Sequence, residues 1–258
     1  MPTLDEIIKT YGQIPDLETF KRPMFIGPHP DDIEFGCGGL ISKLKELNID
    51  VCYVIVTDGA AGTMDKNITP EMMAATRKQE TLNAAEFMNV KNVEFLNLKD
   101  GGDFNVEDVI RKLAPVVLKY KPDIIFAPDA RLKTECHHDH IVTGEAVRLL
   151  TQIVPHPESL RRHNINIDGI DEFVSNFTLA FYFSDEPNKK VFISENNLNE
   201  KIQSLMLHES QMQDESTGLL LNYFQLKALK LGEGKGLAED YQVLVPLTQH
   251  VYAEGIFY

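Results

Sequence analysis

Residues 24–47 read MFIGPHPDDIEFGCGGLISKLKEL, and the fold can be predicted outward from this segment. Its first four residues, MFIG (24–27), are apolar and are typical of a short buried strand. ISKLKEL (41–47) has the apolar spacing of a helix. An acidic, glycine-rich segment joins the two. The stretch therefore predicts a strand, a turn that carries polar groups, and a helix.

The same alternation of strand and helix continues outward from this stretch. Thr69-Pro70-Glu71 combines a hydroxyl cap, a proline at the first helical position and an acid in the first turn, which predicts a helix up to about residue 89. The other predicted elements are strands at 52–57, 93–98 and 123–128 and helices at 106–120 and 140–153. Because strands that alternate with helices form βαβ units with right-handed crossovers, we predict an α/β, Rossmann-like fold with a mostly parallel sheet flanked by helices.

One domain is expected to span residues 1–258, since the sequence has no internal repeat and no low-complexity linker. Residues 155–175 have a looser pattern and are interpreted as an insertion in this domain. Residues 178–258 are interpreted as a C-terminal extension of strands and helices that continues the same sheet. Its predicted elements are strands at 178–184, 191–194 and 242–247 and a helix near 198–209.

The charge balance limits the classes of partner. Lys and Arg number 25 against 39 Asp and Glu, which gives a formal net charge of −14. Such a surface repels phosphate backbones and anionic lipids, so we expect neither nucleic acid nor a membrane as a partner. The first residues lack a basic region followed by an apolar stretch, and the three cysteines, Cys37, Cys52 and Cys136, do not have the spacing of a disulfide framework. We therefore expect a cytoplasmic protein.

The first chemical motif is GPHPDDIEFGCGG (27–39), which follows the first predicted strand directly. In an open parallel sheet, ligands bind at the carboxyl ends of strands, where this motif must lie. A nucleotide site is disfavoured, because the adjacent carboxylates of Asp31 and Asp32 would repel a pyrophosphate. Imidazole and carboxylate groups are zinc ligands. Adjacent side chains diverge, so one aspartate can bind metal while the other accepts a proton from water; a turn with solvated acids is the alternative.

The second chemical motif is CHHDHIVTGEAV (136–147), which follows the strand at 123–128. His137 and His140 are three residues apart and would be neighbours on a helix. Because both motifs follow strands of one parallel sheet, His29 and Asp32 can meet His140. Two histidines and one carboxylate form a hydrolytic zinc pattern, and Fe²⁺ uses the same donor types as a minor alternative.

These motifs resemble those of the PIG-L/LmbE family of zinc N-acetylglucosaminyl deacetylases. The family pattern (A/P)-H-P-D-D-x-E-x-G-x-G-G appears as PHPDDIEFGCGG, and H-x-D-H-x-x-x-G appears as HHDHIVTG (137–144). The similarity covers roughly residues 24–250. The segments that extend it are TDGAAGT (57–63), Arg77 with Glu80, KDGG (99–102), KPDIIFAPD (121–129), YFSDEPN (182–188) and LHESQ (207–211). FAPD and YFSDEPN are most similar to the diacetylchitobiose deacetylase branch.

The resemblance implies roles for individual residues. It makes His29, Asp32 and His140 the ligands of one Zn²⁺ per chain. Asp31 is implied as the general base, His137 as the group that stabilises the oxyanion and protonates the leaving amine, and Asp139 as the residue that orients His137. Arg77 and Asp100 are implied in binding sugar hydroxyls, and His250 in reaching a neighbouring subunit of a homo-oligomer, a trimer or hexamer. The family motif usually has Pro at the position of His138, so we do not expect His138 to be a ligand.

The expected function is zinc-dependent hydrolysis of the N-acetyl group of an N-acetylglucosamine-containing sugar, chitobiose-like or another conjugate, with release of acetate. Two alternatives remain: a zinc amidase that acts on another acylated amine, and a non-catalytic metal- or sugar-binding protein. Asp31 and His137 argue against the binding protein, which needs neither a base nor an oxyanion group. Glu34 is interpreted as a hydrogen-bond acceptor, Arg77 as either solvated or in contact with substrate, and His208 as a structural or surface residue.

Overall fold

A seven-stranded sheet forms the centre of the molecule. The computed structural model describes residues 12–213 and 216–250, together with Thr3, Glu6 and Thr10. The strands are Pro23–Gly27 (β1), Cys52–Thr57 (β2), Asn92–Leu98 (β3), Ile124–Pro128 (β4), Thr178–Tyr182 (β5), Lys189–Ile193 (β6) and Leu237–Leu244 (β7). Their order in the sheet is β3-β2-β1-β4-β5-β7-β6.

The first five strands pair in parallel, and β7 pairs antiparallel with both β5 and β6. From β1 the chain moves outward through β2 and β3, and it then returns to the other side of β1 to form β4 and β5. The order of strands thus reverses between β1 and β4, which are neighbours. Ligands of such sheets bind in the crevice outside the carboxyl ends of the strands at this reversal.

Helices cover both faces of the sheet, so the predicted mostly parallel α/β fold flanked by helices is confirmed. They are Asp32–Glu46 (α1), Pro70–Phe87 (α2), Val106–Tyr120 (α3), His138–Ile153 (α4), Pro157–Arg162 (α5), Glu195–Met206 (α6) and Ser216–Gly232 (α7), with short 3₁₀ helices at Leu17–Thr19 and Pro246–Gln249. α2 begins as its sequence predicts, since the Thr69 hydroxyl accepts a hydrogen bond from the Met72 amide. Within the described residues, no helix combines the length and the apolar character needed to span a bilayer.

The first helix is longer than the sequence pattern indicates. Apolar spacing predicts a helix only at 41–47, whereas α1 begins at Asp32 and includes the whole glycine-rich segment. Close packing explains the glycines. A methyl group on Gly38 would lie 2.7 Å from Lys201 Cγ, and one on Gly39 would lie 2.7 Å from Ile193 Cδ1. The glycines therefore let α6 and β6 pack directly on α1, at the cost that glycine brings to a helix interior.

Burial on both faces explains the continuous apolar runs in the strands. Along β1, Met24 and Ile26 pack on the face covered by α3 and α4, while Phe25 packs on the face covered by α1. Residues 155–175 contain α5 and contribute Leu160 to the first of these two cores. Their interpretation as an insertion, and that of residues 178–258 as an extension, stay predictions.

Candidate metal centre and its surroundings

The two motifs meet at the carboxyl ends of β1 and β4. His29 lies in the turn between β1 and α1, Asp32 is the first residue of α1, and His140 lies in the first turn of α4. Because β1 and β4 pair directly, both turns leave the sheet at the same edge. The side chains of His29 and Asp32 are each 10% exposed, and that of His140 is 14% exposed. The three residues therefore converge in a largely buried site.

The donor atoms of these residues have the separations that a metal ion requires. Asp32 Oδ2 lies 3.1 Å from His29 Nδ1 and 3.3 Å from His140 Nε2. One ligand atom of each residue lies within 4.8 Å of those of the other two. Ligand atoms bound tetrahedrally to zinc at about 2 Å are about 3.3 Å apart. The two separations from the Asp32 carboxylate thus match those between ligand atoms around one divalent ion.

Carboxylates also hold the far side of the His29 ring. His29 Nε2 lies 3.1 Å from Asp139 Oδ2 and 3.3 Å from Asp100 Oδ1. Burial disfavours the charged imidazole, but contacts with carboxylates, including Asp32, raise the pKa of His29 to about 12. At that pKa both ring nitrogens are protonated. A metal ion would displace the Nδ1 proton, and the carboxylates would keep the proton on Nε2, the usual arrangement around metal-ligating histidines.

Asp139 contacts a candidate metal ligand. Its Oδ2 lies 3.1 Å from His29 Nε2 and accepts a hydrogen bond from the Gly101 amide at 3.1 Å, while the orientation of His137 that the resemblance implies stays a prediction. Asp139 is in the first turn of α4 and points inward, with no exposed surface, whereas His137 precedes the helix and is exposed. Asp139 therefore orients a candidate metal ligand.

The charge around the site provides a second test of the fit to a metal. Besides the carboxylates of Asp32, Asp100 and Asp139, Glu135 Oε2 lies 3.1 Å from His140 Nδ1. Largely buried carboxylates so close together cost free energy unless cations compensate their charge. The carboxylates around the two imidazoles provide a net negative environment. A divalent cation would balance this charge, so the residues present fit such an ion.

Asp31 points away from the donor atoms of Asp32. Its φ is 114°, a left-handed conformation, and its Oδ2 accepts a hydrogen bond from Arg77 Nη2 at 3.2 Å. This is the divergence of adjacent side chains that the sequence predicts. Burial and the neighbouring Asp32 carboxylate raise the pKa of Asp31 to about 6, against the opposing effect of Arg77. Asp31 thus carries a carboxylate next to His29, Asp32 and His140, which we call the donor group, but does not belong to that group.

Arg77 is buried rather than solvated, so the solvated alternative is wrong. Its exposed fraction is 4%, and its Nη2 also donates to the Pro30 carbonyl at 2.5 Å. Nη1 donates to the Gly59 carbonyl at 3.4 Å and lies 3.8 Å from Asp100 Oδ2. Arg77 therefore ties the Asp31 turn to the loop after β2. Its contact with sugar hydroxyls, like that of Asp100, stays a prediction.

His137 lies at the rim of the site. Its ring centroid is 4.6 Å from that of His29 and 5.1 Å from that of His140. Burial, with the charges of His29 and His140, lowers the pKa of His137. His29, His137 and Asp139 form a second group whose donor atoms lie within 4.8 Å of one another. His137 is thus close enough to act on a group bound at the three candidate ligands.

The other candidate residues lie outside the donor group. His138 Nε2 lies 2.8 Å from the Phe104 carbonyl, which fits the expectation that it is no ligand. His250 is exposed after the last 3₁₀ helix and, with Asp129 and Gln242, lines a separate groove. Within this chain His250 is therefore not part of the centre. Its contribution to a neighbouring subunit stays a prediction.

Two buried residues near the centre, Glu34 and His208, make a contact that the sequence analysis does not predict. Glu34 is 1% exposed and His208 is 0% exposed, and Glu34 Oε2 lies 3.5 Å from His208 Nε2. No local pattern predicts this contact, because 174 positions separate the two residues, from 34 to 208. The similarity of the LHESQ segment (207–211) is the one signal that could have indicated it.

Comparisons with known proteins agree with the geometry. The chain matches the family model described as PIG-L, GlcNAc-PI de-N-acetylase, over residues 24–151. It is 32% identical over 236 residues to the diacetylchitobiose deacetylase of Thermococcus kodakarensis, which covers 92% of this chain and 82% of that protein. It is 31% identical over 134 residues to the probable N-acetyl-alpha-D-glucosaminyl L-malate deacetylase 2 of Bacillus subtilis, 48% of this chain and 58% of that protein.

Solved structures extend the comparison to three dimensions. The structure of N,N'-diacetylchitobiose deacetylase from Pyrococcus horikoshii matches with a TM-score of 0.87 and 27% identity, covering 98% of this chain and 97% of that one. The 4-carboxy-2-hydroxymuconate hydratase GalB from Pseudomonas putida matches with a TM-score of 0.70 at 18% identity, covering 88% of this chain and 97% of that one. The second match shows the fold alone, so the chemistry must be argued from the side chains of the site.

Proposed function

Because the chain belongs to the PIG-L family, we propose that it is a metal-dependent deacetylase that hydrolyses the N-acetyl group of an N-acetylglucosamine-containing sugar, with release of acetate and a free amine. One observation carries this proposal: Asp31 lies beside the donor group of His29, Asp32 and His140 but is held apart from it by Arg77. A binding protein needs the donor group, whereas a hydrolase also needs a proton acceptor next to it.

Zinc is the proposed ion, and His29 Nδ1, Asp32 Oδ2 and His140 Nε2 would hold it. The donor types and their separations of 3.1 and 3.3 Å support this choice, and Fe²⁺ is the alternative with the same donors. When bound, zinc polarises the acetamide carbonyl and brings the pKa of a water towards about 7. Asp139 would keep the His29 ring in the orientation and tautomer that present Nδ1.

Asp31 is proposed as the residue that accepts a proton from the attacking water. The hydrogen bond from Arg77 fixes the direction of the carboxylate, so that it need not reorient during the reaction. A general base is most effective when its pKa is near the working pH, and burial moves the pKa of Asp31 in that direction, to about 6. Its ionised form therefore prevails at neutral pH.

His137 is proposed to donate a hydrogen bond to the oxyanion that develops on the acetamide carbonyl and to pass a proton to the leaving amine. Its position at the exposed rim, 4.6 Å from the ring of His29, supports this role. A preorganised donor of this kind commonly contributes a few kcal/mol of transition-state stabilisation. The oxygen of water adds to the carbonyl carbon while Asp31 takes a proton from it. The C–N bond breaks as His137 passes a proton to the amine, and the proton on Asp31 then returns to His137, so atoms and protons balance over one turnover.

The proposed substrate is a small amino sugar. The names of the relatives indicate substrates that differ in the group attached to this sugar. We propose a chitobiose-like or other N-acetylglucosamine conjugate, with Asp100 at the edge of the site as a contact for sugar hydroxyls. Asp100 Oδ2 accepts a hydrogen bond from the Ala61 amide at 3.0 Å, which holds its carboxylate in place. We also propose a homo-oligomer, in which the exposed His250 contributes to the site of a neighbouring subunit.

Acetate release tests the proposal directly. Purified protein would be incubated with N-acetylglucosamine, diacetylchitobiose, N-acetylglucosaminyl-malate and, as an acylated amine without a sugar, N-acetyl-lysine. We expect acetate from at least one sugar, loss of activity with a chelator and recovery when zinc is restored. Acetate from N-acetyl-lysine alone would favour an amidase of another class. No acetate from any compound by the zinc-loaded protein would favour a binding protein.

A further inference from the structure

The residues that follow α6 contact the elements next to the candidate site. α6 ends at Met206, and residues 208–211, His-Glu-Ser-Gln, follow it after Leu207. We call them the 208–211 segment. None of its residues belongs to the donor group, and the proposed mechanism does not use them. Three of its side chains nevertheless contact elements that hold Asp31.

Ser210 attaches the segment to α2. Its amide and its hydroxyl donate hydrogen bonds to the two carboxylate oxygens of Glu80, both at 2.7 Å. Glu80 is 7% exposed and lies three residues after Arg77, so the two side chains leave the same face of α2. The helix face that carries the arginine in contact with Asp31 is thereby fixed by residues from a distant part of the chain.

Gln211 attaches the segment to the loop after β2. Its Nε2 donates a hydrogen bond to the Gly62 carbonyl at 2.9 Å. A methyl group on Gly62 would lie 2.7 Å from Arg77 Nη1 and 3.1 Å from Gln211 Nε2. The amide of Gln211 and the guanidinium of Arg77 therefore both pack against Gly62. Arg77 has little room to move while Gln211 remains in place.

His208 packs beneath the turn itself. It is fully buried, 3.5 Å from Glu34 Oε2, and Glu34 belongs to the first turn of α1, three residues after Asp31. Both ring nitrogens of His208 and Glu34 Oε1 are buried without a hydrogen-bond partner among the described residues. Such a pair is costly to bury unless another interaction compensates, and the contact between imidazole and carboxylate contributes to that compensation.

We propose that the 208–211 segment positions Asp31 for proton transfer, by fixing Arg77 through Glu80 and Gly62 and the first turn of α1 through Glu34. Its members are positioning residues, since they act through Arg77 and the α1 turn. A non-glycine residue at φ 114° is strained and persists only when the surroundings hold it. A catalytic group misplaced by about 1 Å can cost about 100-fold in rate. The inference rests on the proposed deacetylase function.

Ser210→Ala and Gln211→Ala, singly and together, test this role against Ser204→Ala. Ser204 is a fully buried serine on α6 whose hydroxyl donates a hydrogen bond within its own helix, to the Lys201 carbonyl at 2.8 Å, rather than to α2 or to the loop after β2. For the double variant we expect kcat to fall about tenfold or more while KM stays within about twofold, as for an interaction made in the transition state. Zinc content and melting temperature should match those of Ser204→Ala. Ser210→Thr, which keeps the hydroxyl, should restore most of the loss caused by Ser210→Ala.

Hydrogen–deuterium exchange of the metal-free protein provides a readout that does not depend on activity. The double variant should exchange faster than wild type in the peptide that covers residues 28–36, and Ser204→Ala should not. Unchanged kcat with unchanged exchange would overturn the inference. So would a loss of kcat matched by an equal loss of zinc content or melting temperature, which indicates a merely structural role. If wild-type protein releases no acetate, the proposed function fails, while the exchange data still decide whether the segment holds the turn.

Discussion

At the level of single residues, Asp31 and Asp32 are adjacent but have different proposed roles, as proton acceptor and as metal ligand. Asp31→Asn tests whether these roles are separate. Asparagine keeps the size of the side chain and an oxygen for Arg77, but it accepts a proton poorly. We expect kcat to fall by about 10²- to 10⁴-fold, the usual contribution of general base catalysis. Bound zinc should stay at the wild-type level, because Asp32 is unchanged. Acetate release and elemental analysis measure the two quantities, with the exposed Asp168→Asn as the control. Full activity of Asp31→Asn would remove Asp31 from the mechanism.

His140 and His138 provide a matched pair on one helix turn. His140 Nε2 faces Asp32, whereas His138 Nε2 is hydrogen-bonded to the Phe104 carbonyl at 2.8 Å. We expect His140→Ala to lose bound zinc after dialysis. His138→Ala should keep its zinc and lose about 1 kcal/mol of stability, the usual contribution of one hydrogen bond. Elemental analysis and thermal unfolding measure these outcomes. Equal zinc content in the two variants would show that His140 is not a zinc ligand.

Local spacing and strand order suffice to predict that His29, Asp32 and His140 meet, because each motif follows a strand and parallel strands end at one edge. Burial of Arg77 and His208 could not be predicted in this way. The face of α2 that carries Arg77 is polar in sequence, yet it is covered by the 208–211 segment, more than 120 residues away. A contact of this range leaves no periodic signal in either partner. The charged pair Arg77 and Glu80, three apart on one face, was the available hint.

At the scale of elements, α1 depends on a buried ion pair that the glycines make possible. Glu239 of β7 accepts hydrogen bonds from the Gly39 and Leu40 amides, and its Oε1 lies 2.6 Å from Lys201 Nζ on α6. The side chains of Lys201 and Glu239 are 5% and 7% exposed. One carboxylate thus joins β7 to two helices, which fixes the layer that carries Asp31 and Asp32.

Lys201→Met should therefore destabilise the protein strongly. Methionine keeps most of the volume but leaves the Glu239 carboxylate buried without its cation, and breaking such a pair by removing one partner costs about 3–5 kcal/mol. Lys43→Met is the matched control: Lys43 pairs with Glu18 at 2.7 Å, but both side chains are more than a quarter exposed. That pair should contribute about 0–1 kcal/mol. Denaturant unfolding compares the two. Similar stabilities of both variants would show that the buried pair is not the link between the layers.

The elements that the sequence misplaced share a physical cause. α1 begins nine residues before its apolar period, since glycines that let α6 and β6 pack closely look like a loop in the sequence. α7 was missed entirely. It is apolar on its buried side and also exposes Leu219, Tyr223, Leu226 and Leu229, each by more than half, so that it lacks the polar face by which a surface helix is recognised. Tertiary packing determines both elements, whereas the central strands can be predicted from their continuous apolar segments.

At the scale of the whole molecule, the charge of the chain bears on its choice among the sugars that its relatives' names suggest. The formal net charge is −14, and the carboxylates of Asp31, Asp32, Asp100, Glu135 and Asp139 surround the candidate metal centre. A bound divalent cation offsets only part of this charge. The field of the molecule therefore opposes the approach of an anionic conjugate and has no effect of this kind on a neutral disaccharide.

Ionic strength separates the two kinds of substrate. Salt shortens the range of exposed charge, from about 30 Å at 0.01 M to about 8 Å at 0.15 M. We expect kcat/KM for N-acetylglucosaminyl-malate to rise over this range, because salt screens its repulsion from the acidic surface. If this compound is not hydrolysed, its inhibition constant should fall for the same reason. The same change should alter kcat/KM for diacetylchitobiose by less than about twofold. Sucrose at matched osmolality controls for effects other than charge. An anionic substrate whose kcat/KM falls as salt is added would mean that cationic groups around the site outweigh the net charge of the chain, and a malate-type conjugate would then become the better candidate.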